Sequence, residues 1–86
     1  MSKPVPYVPV LSGEAATYLI GLPRSAQRKV VALMYQLAEM PSQLGDYSSR
    51  DNTGRDIQHI LVGDWHISFW ADHAVKEFRI VEITEV

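Results

Sequence analysis

The stretch GRDIQHILVGDWHISFWADHAVKEFRIVEITEV, Gly54 to Val86, decides the fold. Three apolar runs stand in it, Ile57 to Val62, Trp65 to Trp70 and Phe78 to Ile83. Each is rich in β-branched and aromatic residues, which suit a pleated, half-buried surface. Two short polar breaks separate them, Gly63-Asp64 and Ala71 to Glu77. Breaks of that length join neighbouring strands as antiparallel hairpins. The stretch therefore reads as a three-stranded meander, and the residues before it as the material that covers one of its faces.

Working outward, Pro41 to Thr53 (PSQLGDYSSRDNT) has the composition of a loop, dense in Ser, Asn, Asp, Gly and Pro. Before it, Arg24 to Met40 carries Ala26, Val30, Leu33, Met34, Leu37 and Met40 at the spacing of one buried helical stripe. Pro23 and Pro41 stand where a helix tolerates proline, near its start and beyond its end. Arg24, Arg28 and Lys29 make the start of this helix basic, either a solvated end or a docking point for an acidic partner or a phosphate. A shorter helix is expected from about Gly13, with Ser12 as its cap, ending at Gly21-Leu22-Pro23. Met1 to Pro9 holds prolines at 4, 6 and 9, which suits an edge strand around Tyr7 to Leu11 or a flexible arm over residues 1–9, not a central strand. The order predicts an α+β domain spanning 1–86, an N-terminal helical hairpin packed on one face of a small antiparallel β-sheet.

Bulk properties bound the function. At 86 residues the chain has one modest core and can lean on a partner. Its formal charge is −2 and its pI about 5.8. An autonomous nucleic-acid binder carries a basic surplus, because phosphate contacts supply most of the affinity, so this balance argues against strong binding to DNA or RNA by the chain alone. No run approaches the roughly 20 apolar residues that span a bilayer, so no membrane partner is expected. Without cysteine and without an export pattern, the chain is expected in the cytoplasm.

The polar groups that can carry chemistry lie on the strands: Arg55, His59, His66, Asp72, His73 and Arg79. Alternation puts His66 with Ser68 and Trp70, away from Trp65, Ile67 and Phe69, and puts His59 with Ile57 and Leu61. On the last strand it puts Arg79 with Val81 and Ile83. If His59, His66 and Arg79 face away from the helices, the imidazoles can transfer protons near neutral pH and the arginine can hold a phosphate or an oxyanion. Against this, a histidine on a sheet is usually only a hydrogen-bonded rim residue. Asp72-His73 is explained by turn chemistry. The aromatic group Trp65, Phe69, Trp70 and Phe78 reads as core, with Trp70 the exception. No phosphate-cradling glycine loop is present, and His59, His66 and His73 have neither helical pairing nor a carboxylate third ligand, so no cofactor and no metal are expected.

Several positions together resemble a known family. They are Leu22-Pro23, the helix with Gln27, Lys29 and Val30 ending in Leu37-Ala38 before Pro41, then Gly45-Asp46, Gly54-Arg55, Gly63-Asp64-Trp65-His66-Ile67, Trp70 with Asp72, and Phe78-Arg79-Ile80-Val81 with Ile83. This pattern, over roughly Tyr7 to Ile83, resembles the RelE/ParE superfamily of toxins from type II toxin–antitoxin modules. The resemblance implies a cognate antitoxin as partner and either ribosome-dependent mRNA cleavage or, as in the ParE branch, poisoning of gyrase. His66 matches a middle-strand position that is usually arginine or histidine in the nucleases, and His59 a lysine or histidine position one strand earlier. Arg79 lies one strand further on, while the family's catalytic arginine sits nearer that strand's end. Two departures stand out: RNA-cleaving members are typically strongly basic, and Glu85 stands where they often carry arginine.

The expected catalytic set is thus His66, His59, Arg79 and Arg55, the histidines as acid and base and the arginines on the phosphate. The alternative is a non-enzymatic toxin-fold binding module for an antitoxin, gyrase or another protein. A homodimer through the proline-rich arm or an edge strand is a further expectation.

Overall fold

A computed structural model describes residues 6–86; the first five residues of the expected N-terminal arm lie outside them. The elements run β1 (Val8–Leu11), α1 (Gly13–Ile20), α2 (Arg24–Ala38), β2 (Tyr47–Arg50), β3 (Asp56–Val62), β4 (Trp65–Asp72) and β5 (Glu77–Glu85). The expected meander is β3, β4 and β5. Its first connection is a tight two-residue turn, with Val62 opposite Trp65 and Gly63 at φ 58, a backbone that glycine adopts without strain.

The sheet has five strands in the order β1-β5-β4-β3-β2, and it is mixed rather than antiparallel. The correction comes from β1, which lies parallel to β5. The residues around Tyr7 to Leu11 do form an edge strand. Val8 donates its N–H to the Lys76 carbonyl and Ser12 to that of Ile80, so the intervening Pro9, which has no N–H, needs no partner on β5. The other addition is β2, inside the segment expected to be loop. Its four residues are all exposed and carry no apolar alternation, so the strand had no sequence signature.

Two successive helices lie on one face. Ser12 caps α1, accepting from the Ala15 N–H at 3.1 Å, and its hydroxyl donates to the Val81 carbonyl at 2.7 Å, which ties the helix start to β5. Helix α2 ends at Ala38, two residues before the expected Met40. There the Gln43 side chain donates to the Leu37 carbonyl and satisfies one of the free groups of the helix end. Ala15, Val30, Met34, Leu37 and Ala38 close on Trp65, Ile67, Phe69, Phe78, Ile80 and Ile83 in one core cluster. The Phe69 and Phe78 rings lie 4.7 Å apart at its centre. Three of the four strand aromatics are therefore core, as expected, and Trp70 is on the other side.

One register shift changes which residues reach which face. Between β4 and β5 the pairing slips at Ser68/Phe69, so that Phe69 meets Ile80 while Ser68 meets Glu82. The extra residue of this bulge, Val81, breaks the alternation. Simple alternation placed Ile83 with Arg79; the bulge instead turns Ile83 into the core, opposite Ile67 and 2% exposed. It also turns Glu82 onto the face that the helices leave open.

Candidate functional site on the open sheet face

His59 and His66 both point to the open face, opposite Ser68 and Leu61 respectively in the β3–β4 ladder. Their approach is close. His59 Nδ1 lies 3.2 Å from His66 Nε2, with the ring centroids 5.3 Å apart and the planes within 15°. The edges of the two rings that face one another therefore carry the two nitrogens. At that distance one ring nitrogen can donate to the other.

A shell of hydroxyls fixes the pair. Ser68 is 2% exposed, and its Oγ lies 2.9 Å from His59 Nδ1. Ser49 Oγ lies 2.7 Å from His59 Nε2. Tyr47 Oη lies 3.1 Å from His66 Nε2, and Thr84 Oγ1 3.4 Å from His66 Nδ1. The Tyr47 ring stacks on His59 at 4.5 Å with planes 2° apart. Burial pushes the His59 imidazole below its ordinary 6.5, the neighbouring His66 pushes the same way, and Glu82 pulls it back up.

Tyr47 and Ser49 reach the histidines because β2 is pressed onto β3 at Gly45. A side chain at Gly45 would stand 2.3 Å from the His59 carbonyl oxygen, so only glycine allows this approach. Three hydrogen bonds hold the segment there. The Gly45 N–H donates to Gln58 Oε1 at 2.8 Å, the Asp46 N–H to the His59 carbonyl at 2.7 Å, and the Leu61 N–H to Asp46 Oδ2 at 2.7 Å.

The arginines form a second group on the same face, around Trp70. Arg55 lies over the indole at 3.8 Å and Arg79 at 5.6 Å. They border a hollow of about 320 Å³ whose lining includes Leu11, Ile57, Trp70 and Val81, but neither His59 nor His66. Arg79 Nη2 donates to Glu77 Oε1 at 2.6 Å, whereas its Nε, 3.8 Å from Asp72 Oδ2, is beyond hydrogen-bond reach. That Nε–H is buried and without a partner among the described residues. Arg55 is held by Asp51 at 3.5 Å. The Asp51 carboxylate accepts from the Thr53 hydroxyl at 2.6 Å, from the Thr53 N–H and from the Arg55 N–H, and these bonds hold its pKa below the ordinary 3.8.

So the structure brings the four expected residues together in two pairs, not one constellation. His73 stands in the β4–β5 turn, with Nδ1 2.5 Å from Tyr7 Oη, and borders a hollow with Arg55 and Trp70, away from the histidine pair. Sequence reasoning missed Tyr47, Ser49, Glu82 and Thr84. Ser68 was legible, since it alternates with His66 and Trp70; Glu82 depended on the bulge.

No protein-family model matches the chain, and no curated protein does either. Among solved structures it is similar to a chain of the RelBE2 toxin–antitoxin complex from Mycobacterium tuberculosis, with a TM-score of 0.77 at 19% identity over 95% of this chain and all of that one. It is also similar to a chain of the archaeal RelE–RelB complex from Pyrococcus horikoshii, with a TM-score of 0.69 at 14% identity over 94% of this chain and 96% of that one. At these identities the likeness is one of fold. The chain has a RelE-like fold.

Proposed function

We propose that this chain is the toxin of a type II toxin–antitoxin module and cleaves mRNA on its open sheet face. The observation that carries the reading is the His59–His66 pair, two imidazole nitrogens 3.2 Å apart on the face without helices. RNA carries its own nucleophile. The 2′-oxygen bonds to the adjacent phosphorus, the bond from phosphorus to the 5′-oxygen breaks, and the products are a 2′,3′-cyclic phosphate and a 5′-hydroxyl. The step needs one group to take the 2′-OH proton and one to protonate the leaving oxygen. His59, held below the ordinary imidazole value, is the base. His66 is the acid. Arg79, whose buried Nε–H has no acceptor among the described residues, and Arg55 stand in the separate group at Trp70, for a phosphate further along the RNA strand.

The charge balance adds a requirement. With a net charge of −2, and with Arg55 and Arg79 both paired to carboxylates, the chain has little to hold free RNA. The message must be presented by another particle, which supports a ribosome-dependent reaction in the cytoplasm. The cognate antitoxin silences the chain until then.

The test is cleavage of mRNA in a cell-free translation reaction, with the cut sites mapped by primer extension. The purified chain is expected to cut messages on ribosomes far faster than naked RNA, with His59→Ala and His66→Ala inactive and Arg79→Ala impaired. No cleavage in either setting, together with unimpaired growth on induction, would overturn the nuclease reading and leave the non-enzymatic binding module.

A further inference from the structure

Helix α2 carries three cations and no carboxylate, in a chain whose net charge is −2. Arg24, Arg28 and Lys29 all fall in its N-terminal half. Cations there oppose the partial positive charge of a helix N-terminus, which favours acids. The N-cap is Pro23, which supplies no side-chain hydrogen bond to offset this. The ion pairs among the described residues lie elsewhere, at the β2–β3 turn and around Arg79. A local rule broken without a gain to the folded chain is a mark of function.

Space divides the three. Lys29 borders a hollow with Asp64, Trp65 and Glu85, so acids of the chain itself lie near it. Arg24 and Arg28 are exposed one turn apart, and they border a shallow outward hollow of about 530 Å³ with Gln27, Val31 and Ala32. One turn on, Tyr35 is 59% exposed. The Gln27 amide donates to the Ile20 carbonyl, so the bare end of α1 adjoins the same surface. The outer side of α2 is therefore a stripe, cationic at its start and apolar along its length, turned away from the Val30, Met34 and Leu37 side that enters the core.

We infer that this outer face of α2 docks an acidic amphipathic helix of a partner protein, with carboxylates on Arg24 and Arg28 and apolar side chains over Val31, Ala32 and Tyr35. A nucleic acid would use the cations and leave the apolar residues wet. A second copy of the same face would bring four arginines and no carboxylate of α2 into one seam. The surface lies apart from the open sheet face, so the inference stands whether or not that face cleaves RNA.

The test uses fluorescence anisotropy with a labelled helical peptide of about 15 residues that repeats Glu and Leu at helical spacing. Its comparators are the same peptide with Lys for Glu and a single-stranded RNA of equal length. The acidic peptide is expected to bind at least about tenfold tighter than either, with an affinity that falls in salt. The double variant Arg24→Glu, Arg28→Glu is expected to lose at least about tenfold of that affinity while its own thermal midpoint rises, because acids suit the helix start. No acidic-peptide binding at millimolar concentration, stronger binding of the RNA, undiminished binding by the double variant, or a midpoint that does not rise would each overturn the inference.

Discussion

Replacing Gly45 by alanine tests the link between the fold and the candidate site at one atom. The added Cβ would stand 2.3 Å from the His59 carbonyl oxygen and 2.8 Å from its carbonyl carbon and amide nitrogen. Those atoms are backbone of β3, which β4 holds from its other side, so they cannot swing away. The Gly45 segment must retreat by about an ångström to reach van der Waals distance. That displacement stretches all three hydrogen bonds at Gly45 and Asp46, which run from 2.7 to 2.8 Å. At about 1 kcal/mol of net stability for each, loss of most of them destabilises the chain by about 2–3 kcal/mol. For a domain of this size that lowers the thermal midpoint by about 10–20 °C. Because Tyr47 follows two residues later, its ring should also leave His59, and the ring-current shift on the His59 protons should disappear from the NMR spectrum. Gly13→Ala is the matched control. Nothing lies within 4 Å of the Cβ it would add at the start of α1, so the same change there should leave the midpoint unchanged or raise it. The measurement is circular dichroism melting of both variants beside the parent. If Gly45→Ala melts within two or three degrees of the parent, the close approach does not hold β2 in place and this account of the site fails.

Two further predictions bear on the histidine pair. The folded state holds His59 below 6.5 while the unfolded chain does not, so below that pH the unfolded state binds more protons. Stability should therefore be full above pH 6.5 and be lost as pH falls from there through the folded value. His66 on β4, Tyr47 on β2 and Glu82 on β5 face this group, and His59→Gln should flatten the dependence of melting temperature on pH in that window. Ser68→Ala removes a buried hydroxyl whose partner is His59 Nδ1, and should cost about 1 kcal/mol of stability. In the ribosomal cleavage assay it should lower kcat at least about tenfold with little change in KM, since it positions the base without holding RNA; a kcat at the parent level would remove Ser68 from the site.

Legibility followed periodicity. The apolar runs Ile57 to Val62 and Trp65 to Trp70 stand across a two-residue turn, so β3 and β4 could be read directly, but the face of His59 and His66 stayed open because both faces of these strands are partly apolar. The stripe from Ala26 to Leu37 placed α2 in the same way. What escaped was set by long-range contact. The Tyr47–Arg50 segment is exposed throughout and becomes a strand because Gly45 lets it approach β3. The expected antiparallel sheet failed at β1, which pairs parallel to β5 and which no short connection joins to it. The faces of Glu82 and Ile83 turn on one extra residue opposite Ser68, and nothing in EFRIVEITE marks where the slip falls. Nor could the sequence separate the arginines from the histidines, since all four residues alternate onto one face and only the pairing distances divide them.

That division shapes what the open face can do. A site that bound RNA unaided would set its cations beside its acid and base. Here the guanidiniums gather at Trp70, each already paired to a carboxylate, while neutral hydroxyls surround the imidazoles. On the proposed reading, proton transfer and electrostatic grip would thus come from different patches, and the grip would be weak. A weak grip is consistent with catalysis if the substrate arrives held in place, because positioning by another body replaces the binding energy that the chain lacks. On the proposed reading, a chain of net charge −2 would then need no nuclease's basic surface of its own. On this argument, removing the carboxylate paired with Arg79, as in Glu77→Gln, should speed the cutting of naked RNA more than that of ribosome-bound message, since only the former is limited by grip.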